Sequence, residues 1–356
     1  MGICISIASS EIHGDPKEVD DENNVIIFEG NKVPNGNQKL FSVYSRQGTK
    51  GFNQDAASLH KSYGMEGGSF CGVFDGHGRN GHIMSKMVNK HLASLILSQK
   101  NAIAKIDTTE NSDVSDDNTS SHVDTSESDS TLNFQKWKQA IFSAFKVMDK
   151  KVKLQENLDF SCSGTTAVVV IRQGEGLVIA NLGDSRAVLG RIHDEELVAI
   201  QLTTDLKPGL PCEAERIRSC NGCVYALEEE PNIERVWLPN EKAPCLAVSR
   251  AFGDFLLKDH GVIAIPDISY HTLTPTDQFI LLASDGVWDV LSNNEVASIV
   301  WTAATEDGAA RAVVEGATAA WKNKYPASKV DDITVLCLFM QKKSQNLKYV
   351  KREKLP

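Results

Sequence analysis

The sequence predicts an α+β fold of antiparallel sheets with helices over their outer faces. Three observations carry that expectation. Short runs rich in Val, Ile, Leu and Phe recur along the chain, bounded by turn residues, as strands do. Two of them, Thr165–Arg172 and Leu177–Asn181, are joined only by Gln173-Gly174-Glu175-Gly176, which is hairpin wiring. Three longer segments place apolar residues at helical spacing.

Taken in order, residues 1–37 are polar with little periodicity and read as a flexible leader. From Phe41 the pattern becomes regular. Strands are expected at Phe41–Ser45, Ser69–Phe74, Thr165–Arg172, Leu177–Asn181, Leu197–Leu202, Phe279–Ser284 and Ile333–Phe339. Helices are expected around Ile83–Ile96, Trp137–Val152 and Val313–Trp321. Between the first two lies Asp107–Ser130, with eight acids and no Lys or Arg. It has too little apolar surface to offset the entropy of ordering, so residues 107–131 read as a disordered acidic insertion. Residues 203–255 form a polar, proline-containing region. Within it Asn221-Gly222 reads as a two-residue hairpin turn, with Cys220 and Cys223 as cross-strand neighbours. No second Cys/His pair at zinc spacing follows them. Residues 341–356 are a basic tail carrying Lys342, Lys343, Lys348, Lys351, Arg352 and Lys354.

The whole chain of 356 residues is 41% hydrophobic and 24% charged, ordinary globular composition, with a formal net charge of −10. No long Lys/Arg-rich surface run appears before the C-terminus, which argues against nucleic acid as the main partner. No apolar run approaches the roughly 20 residues that span a bilayer. The eight cysteines, Cys4, Cys71, Cys162, Cys212, Cys220, Cys223, Cys245 and Cys337, are scattered as in a reduced, intracellular protein.

Chemistry concentrates on aspartates at strand ends. They stand in "GFNQDAA" (Asp55), "VFDGHG" (Asp75), "IANLGDSRAVLG" (Asp184), "LLASDGVWDV" (Asp285) and "KVDDITVLCLF" (Asp331, Asp332). Carboxylates brought together repel one another unless a cation joins them. Hard oxygen donors suit Mg²⁺ or Mn²⁺, and Gly76 has no side chain to keep its carbonyl from an ion. Two such ions acidify a bridging water, whose hydroxide attacks phosphorus directly. Gly-x-Ser-x-Gly, His-Glu-x-x-His and a Walker loop are absent from the sequence, and no Cys-x₅-Arg stretch reads as a phosphate loop, since the one match in spacing, Cys212 to Arg218, contains no glycine.

In their order, "SRQGTKGFNQDA", "VFDGHG", "SGTTAVVV", "ANLGDSRAVL", "LAVSRAFGD", "LLASDGVWDV" and "DDITV" resemble the type 2C, metal-dependent protein serine/threonine phosphatases, in wording closest to the plant branch. The resemblance covers about Phe41 to Phe339. It implies a four-layer α-β-β-α sandwich, a monomeric catalytic domain over residues 38–340, and a mobile flap at about 203–255. It also implies two Mg²⁺ or Mn²⁺ ions per subunit, a weaker third, and phosphoprotein substrates. By resemblance Asp75 is the bridging ligand, Gly76 the carbonyl ligand, and Asp285 and Asp331 the other direct ligands. Asp55 holds metal-bound waters and His77 is the general acid. Asp184 and Asp254 resemble third-metal positions. Where the family often has a phosphate-gripping arginine this chain has Lys50, and where a glutamate precedes the first aspartate it has Gln54. The asparagine usual after the last ligand is Asp332, which leaves Asp331 and Asp332 as alternatives.

The N-terminal "MGICIS" fits N-myristoylation at Gly2, with Cys4 available for a palmitate, so attachment to the cytoplasmic face of the cell membrane is expected, with cytoplasm and nucleus as the alternative. The expected function is hydrolysis of phosphoserine and phosphothreonine. The alternatives are a membrane-tethered pseudophosphatase that binds phosphoproteins without turnover, and a hydrolase of small phosphoesters.

Overall fold

A computed structural model describes residues 25–28, 40–110, 125–241, 243 and 245–341. Strands β1 (Val25–Phe28), β2 (Phe41–Arg46), β3 (Asp55–Lys61) and β4 (Ser69–Gly78) precede two long helices, α1 (Gly81–Glu110) and α2 (Thr125–Lys153). Strands β5 (Ser163–Thr165), β6 (Ala167–Gln173), β7 (Gly176–Leu182), β8 (Arg186–His193) and β9 (Glu196–Gln201) follow. Helix α3 (Pro211–Ser219) and strands β10 (Cys223–Leu227), β11 (Glu230–Trp237) and β12 (Cys245–Leu246) form the flap region. The chain returns through β13 (Phe252–Gly253), α4 (Phe255–Lys258), β14 (Asp267–Thr272) and β15 (Asp277–Ala283). It closes with α5 (Asp285–Trp288), α6 (Asn293–Thr302), α7 (Ala309–Lys324) and β16 (Ile333–Phe339).

Period-two alternation sorts the strand side chains onto two faces. On β4, Phe70 and Phe74 join Trp137, Ile141 and Phe145 of α2 in one core, while Cys71 and Val73 face a second sheet. The first sheet runs β1-β3-β4-β6-β7-β14, with β5 and β13 continuing from the end of β4. The second runs β2-β16-β15-β8-β9. Between them Val168, Val170 and Ile179 meet Leu189, Ile280, Leu282 and Leu336. On the far side Phe279, Leu281 and Val335 pack under Val296 and Val300 of α6 and Val313 and Val314 of α7. The layers are therefore helices, sheet, sheet, helices, the expected α-β-β-α sandwich. Among the described residues, all ladders are antiparallel except β1 with β3.

Several expectations need correction. Val25–Phe28, assigned to a flexible leader, is a strand on the edge of β3. A run of four apolar residues shows no period of its own, and only the open edge of β3 makes it a strand. Residues 107–110 and 125–131 of the expected insertion are helical, while 111–124 lie outside the described residues. Extending a helix already nucleated by a packed segment is far easier than starting one. The Asn221-Gly222 hairpin is a helix end. Asn221 takes a left-handed φ of 59°, its N–H donates to Arg218 O at 3.0 Å, and Gly222 N–H donates to Ile217 O at 2.9 Å. This pair of bonds closes α3, and Cys220 caps the helix rather than facing Cys223 across a hairpin. Residues 1–24, 29–39 and 342–356, with Gly2, Cys4 and the tail lysines, lie outside the described residues.

Candidate functional site

Register places the first two aspartates. Asp55 opens β3 and Asp75 lies late in β4, and the two are direct partners across the ladder. Strand β4 does not stop at Phe74 but continues through Gly78, pairing Gly76 with Thr165. Asp285 follows β15 at the first position of α5, and Asp331 precedes β16. In an antiparallel sheet the start of one strand lies beside the end of the next. Sequence ends and sequence starts therefore collect at the same edge, and Asp55, Asp75, Asp285 and Asp331 fall there together.

Electrostatics confirms the convergence. Burial, then the charges of Asp285, Asp55, Asp331 and Asp184, hold the Asp75 carboxyl well above the usual range. Asp285 is raised in the same way by burial and by Asp184, Asp331 and Asp289, and it hydrogen bonds Asp75. Asp55 is pushed up to about 7 by burial, despite a 2.7 Å hydrogen bond from Ser284 Oγ that favours its anion. Two lysines supply countercharge. Lys50 contacts Asp331 Oδ2, and Lys207 Nζ lies 3.3 Å from Asp184 Oδ2.

Asp331 and Asp332 separate by their partners. Asp332 accepts the backbone N–H of Gly48 at 2.7 Å and of Gln54 at 2.8 Å, tying β16 to the loop before β3. Asp331 instead turns toward Lys50 and the carboxylate cluster. The Gln54 side chain donates to Gly78 O at 2.8 Å, holding the end of β4 beyond Asp75. Gly76 sits where a Cβ would meet Gly81 O at 2.4 Å and Gln54 O at 2.5 Å, so no larger residue fits.

His77 stands two residues beyond Asp75 on β4, and so on the same face. Its Nε2 lies 2.6 Å from Asp254 Oδ2. Burial opposes the imidazolium, but the charge and hydrogen bond of Asp254 outweigh it and raise the histidine above its ordinary value. Asp75, His77, Asp184, Asp254 and Asp285 line one cavity of about 270 Å³, closed from the flap by Arg235, Cys245 and Leu246. Asp184 and Asp254 thus border the same space, each facing a cationic partner.

Sequence reading passed over several residues here. Asp289, one helical turn beyond Asp285, is exposed, and partial desolvation together with Asp184 and Asp331 raises its carboxyl; its i,i+4 spacing in "SDGVWDV" was the available signal. Lys207 and Ser284 carried none. Gly164 lies where a Cβ would stand 2.1 Å from Asp254 Oδ2 and 2.7 Å from His77 Nε2. Trp237 is 2% exposed and stacks on Tyr225 at 4.8 Å.

Among the described residues no three His, Cys, Asp or Glu side chains stand ready-made as a metal-binding group. The donor chemistry nevertheless fits hard divalent cations: carboxylates that disfavour one another's ionisation, beside a glycine that carries no side chain. A neutralising cation reverses the repulsion that raises Asp75 and Asp285.

The family model for protein phosphatase 2C matches residues 41–323. Over 361 aligned residues the chain is 49% identical to a probable protein phosphatase 2C 72 of Arabidopsis thaliana, covering 97% of this chain and 99% of the relative. It is 48% identical to a probable protein phosphatase 2C 75 of Oryza sativa subsp. japonica, over 88% of this chain and 75% of the relative. Among solved structures, a serine-threonine phosphatase 2C from Toxoplasma gondii superposes with a TM-score of 0.70 at 27% identity, over 85% of this chain and 94% of that one.

Proposed function

This chain belongs to the protein phosphatase 2C family of metal-dependent protein serine/threonine phosphatases, and from that premise we propose that the Asp55, Asp75, Asp285 and Asp331 cluster is its catalytic metal centre. The observation that carries the proposal is the convergence of these carboxylates at one sandwich edge, where Asp55 pairs with Asp75 across the ladder, Asp285 hydrogen bonds Asp75, and the charges of Asp285, Asp55 and Asp331 act on Asp75. Asp75, Asp285, Asp331 and the Gly76 carbonyl would hold two Mg²⁺ or Mn²⁺ ions, with Asp55 and its Ser284 partner behind them. Bound there, the ions supply an acidified water for attack on phosphorus and charge to offset the phosphoryl oxygens.

The remaining residues divide the other tasks. Lys50, about half-exposed beside Asp331, attracts the substrate phosphate as a point charge without the bidentate fork of arginine. His77 carries the proton that the departing seryl or threonyl oxygen needs, and Asp254 keeps that imidazole protonated and oriented. Asp332 fixes the loop that presents Lys50. A third ion at Asp184 and Asp254 would have to displace Lys207 and His77, so the proposal rests on two.

The test is phosphate release from a phosphothreonine peptide by Asp75→Asn. Turnover by the parent chain should require Mn²⁺ or Mg²⁺, and the variant should lose about a thousandfold or more in kcat, the scale of removing one main electrostatic stabiliser. Metal-independent turnover, or an Asp75→Asn variant as active as its parent, defeats the assignment. In a protein that only binds phosphoproteins there would be no turnover to lose.

Membrane attachment through myristate on Gly2 and palmitate on Cys4 is part of the same reading. The Gly2-to-Ser6 pattern supports it. Incorporation of labelled myristate in cells, abolished by Gly2→Ala, is the expected result, and an unlabelled parent chain rejects it.

A further inference from the structure

The helical layer over the first sheet has a charge opposite to that of the chain as a whole. Residues 81–106 of α1 contain four lysines and no acid, in a chain of net charge −10. Residues 131–153 of α2 contain six lysines and one acid, and neither segment contains an arginine. The single acid, Asp149, turns inward: its Oδ1 accepts from Gly253 N–H at 3.0 Å and lies 3.3 Å from Lys258.

Helix phase gathers these lysines. Lys86 and Lys90 stand one turn apart on α1, Lys146 and Lys150 one turn apart on α2, and all four are exposed. The helices pack antiparallel, with Lys100 over the ring of Trp137 and His91 near Lys151. The two stripes therefore merge into one face. Like charges already oppose each other across it. Burial and then Lys90 lower Lys151, and burial followed by Lys151 and Lys90 lowers His91. Phe142, 36% exposed, lies one turn from both Lys138 and Lys146.

We propose that this lysine face of α1 and α2 is a docking surface for an anionic lipid bilayer. Its charge complements acidic headgroups, and an all-lysine composition suits a diffuse sheet of charge better than the carboxylate or phosphate forks that arginine recognises. The exposed Phe142 ring among lysines is the pattern of a surface-lying amphipathic element. Among the described residues no helix is long and apolar enough to cross a membrane, so the contact is peripheral. The carboxylate site lies at the strand ends of the sandwich and not on this face, so docking leaves it open. The inference does not depend on the catalytic assignments.

The test uses the full chain, produced without lipid modification, in co-sedimentation with phosphatidylcholine vesicles with or without phosphatidylserine. Binding should require phosphatidylserine and weaken with salt. The variant Lys86→Glu/Lys90→Glu/Lys146→Glu/Lys150→Glu should bind at least about a hundredfold more weakly, since each lysine contributes about fivefold near an anionic surface. The corresponding four Lys→Arg changes should retain binding, and neutralising the lysines and arginine of residues 342–354 should leave most of it. Matching thermal melts show that the variants are folded. Equal binding to neutral vesicles, or loss in the tail variant with none in the face variant, overturns the proposal. So does a preference for polyglutamate or a short DNA duplex over the anionic vesicles.

Discussion

His77 and Asp254 meet at 2.6 Å because Gly164 leaves room for both. The pair makes a charge-assisted hydrogen bond that favours the imidazolium, the form able to give up a proton. Its value depends on the leaving group. A seryl or threonyl oxygen is a strong base and leaves only with a proton, whereas p-nitrophenolate leaves without one. His77→Ala should therefore lower kcat on a phosphothreonine peptide by about a hundredfold or more. On p-nitrophenyl phosphate the loss should stay below about fivefold. Steady-state kinetics on the two substrates decides it, and equal losses remove His77 from the acid's role. The neighbouring pair Asp331 and Asp332 teaches a related lesson. Chemically identical side chains one residue apart have different tasks because one is saturated by backbone N–H donors and the other is not.

At the scale of elements, the flap is anchored by one buried carboxylate on α3. Glu213 accepts from Arg216 at 2.8 Å, Arg250 at 2.6 Å and Ser249 Oγ at 2.5 Å. Arg250 also donates to Ile265 O at 3.0 Å, and Arg216 to Gly261 O at 2.8 Å. One side chain thus joins α3 to the segment that leads into Asp254. Burial alone would raise Glu213, but hydrogen bonds from Arg250, Arg216 and Ser249 outweigh it and hold the carboxyl at about 2. A folded value below the unfolded one stabilises above the unfolded range, near 4.5, and the contribution disappears as pH falls from there toward 2. Glu213→Gln should cost about 3 kcal/mol at pH 7, the loss expected when one partner of a buried ion pair is removed. The gap between parent and variant should narrow below about pH 4.5. Denaturant unfolding at pH 7 and pH 3 measures it; a pH-independent gap means the charge is not responsible. The same helix shows why short-range signals mislead. Asn221-Gly222 serves equally as a hairpin turn or a helix end, since both need a left-handed residue. The choice follows from what α3 packs on: Ile217 is buried with Val236, Leu246 and Val262.

At the scale of the molecule, the two sheets share one apolar interior, and the carboxylate edge depends on their alignment. Leu282 on β15 is fully buried in that interior, three residues before Asp285. Leu282→Ala should lower stability by about 3 kcal/mol through the cavity it leaves. It should also weaken Mn²⁺ activation more than a distant core change such as Val314→Ala does, because Asp285 is carried on that strand. Thermal melts and Mn²⁺ titration of activity test both parts, and identical Mn²⁺ curves for the two variants reject the second.

Much of this was legible in the residues. Apolar runs bounded by turn residues located β2, β4, β6, β7, β9, β15 and β16, and helical spacing located the packed parts of α1, α2 and α7. Strand β8 was missed although it lies inside its sheet, between β15 and β9. Arg186 and Gly190 interrupt its apolar run, and only its ladders with β15 and β9 define it. The flap strand β11 begins with five exposed residues and shows no alternation to read. The sequence by itself determined which residue types were present and at what local spacing: aspartates flanked by small residues, a glycine that admits no side chain, lysines one helical turn apart. Local spacing is enough for these because backbone geometry repeats every two residues or every 3.6. Tertiary structure decided the rest: which strand starts lie beside which strand ends, which of Asp331 and Asp332 faces the cluster, which lysines neutralise it, and that the lysines of two helices form one face. Such facts depend on burial and on contacts between remote segments, which a linear pattern does not encode.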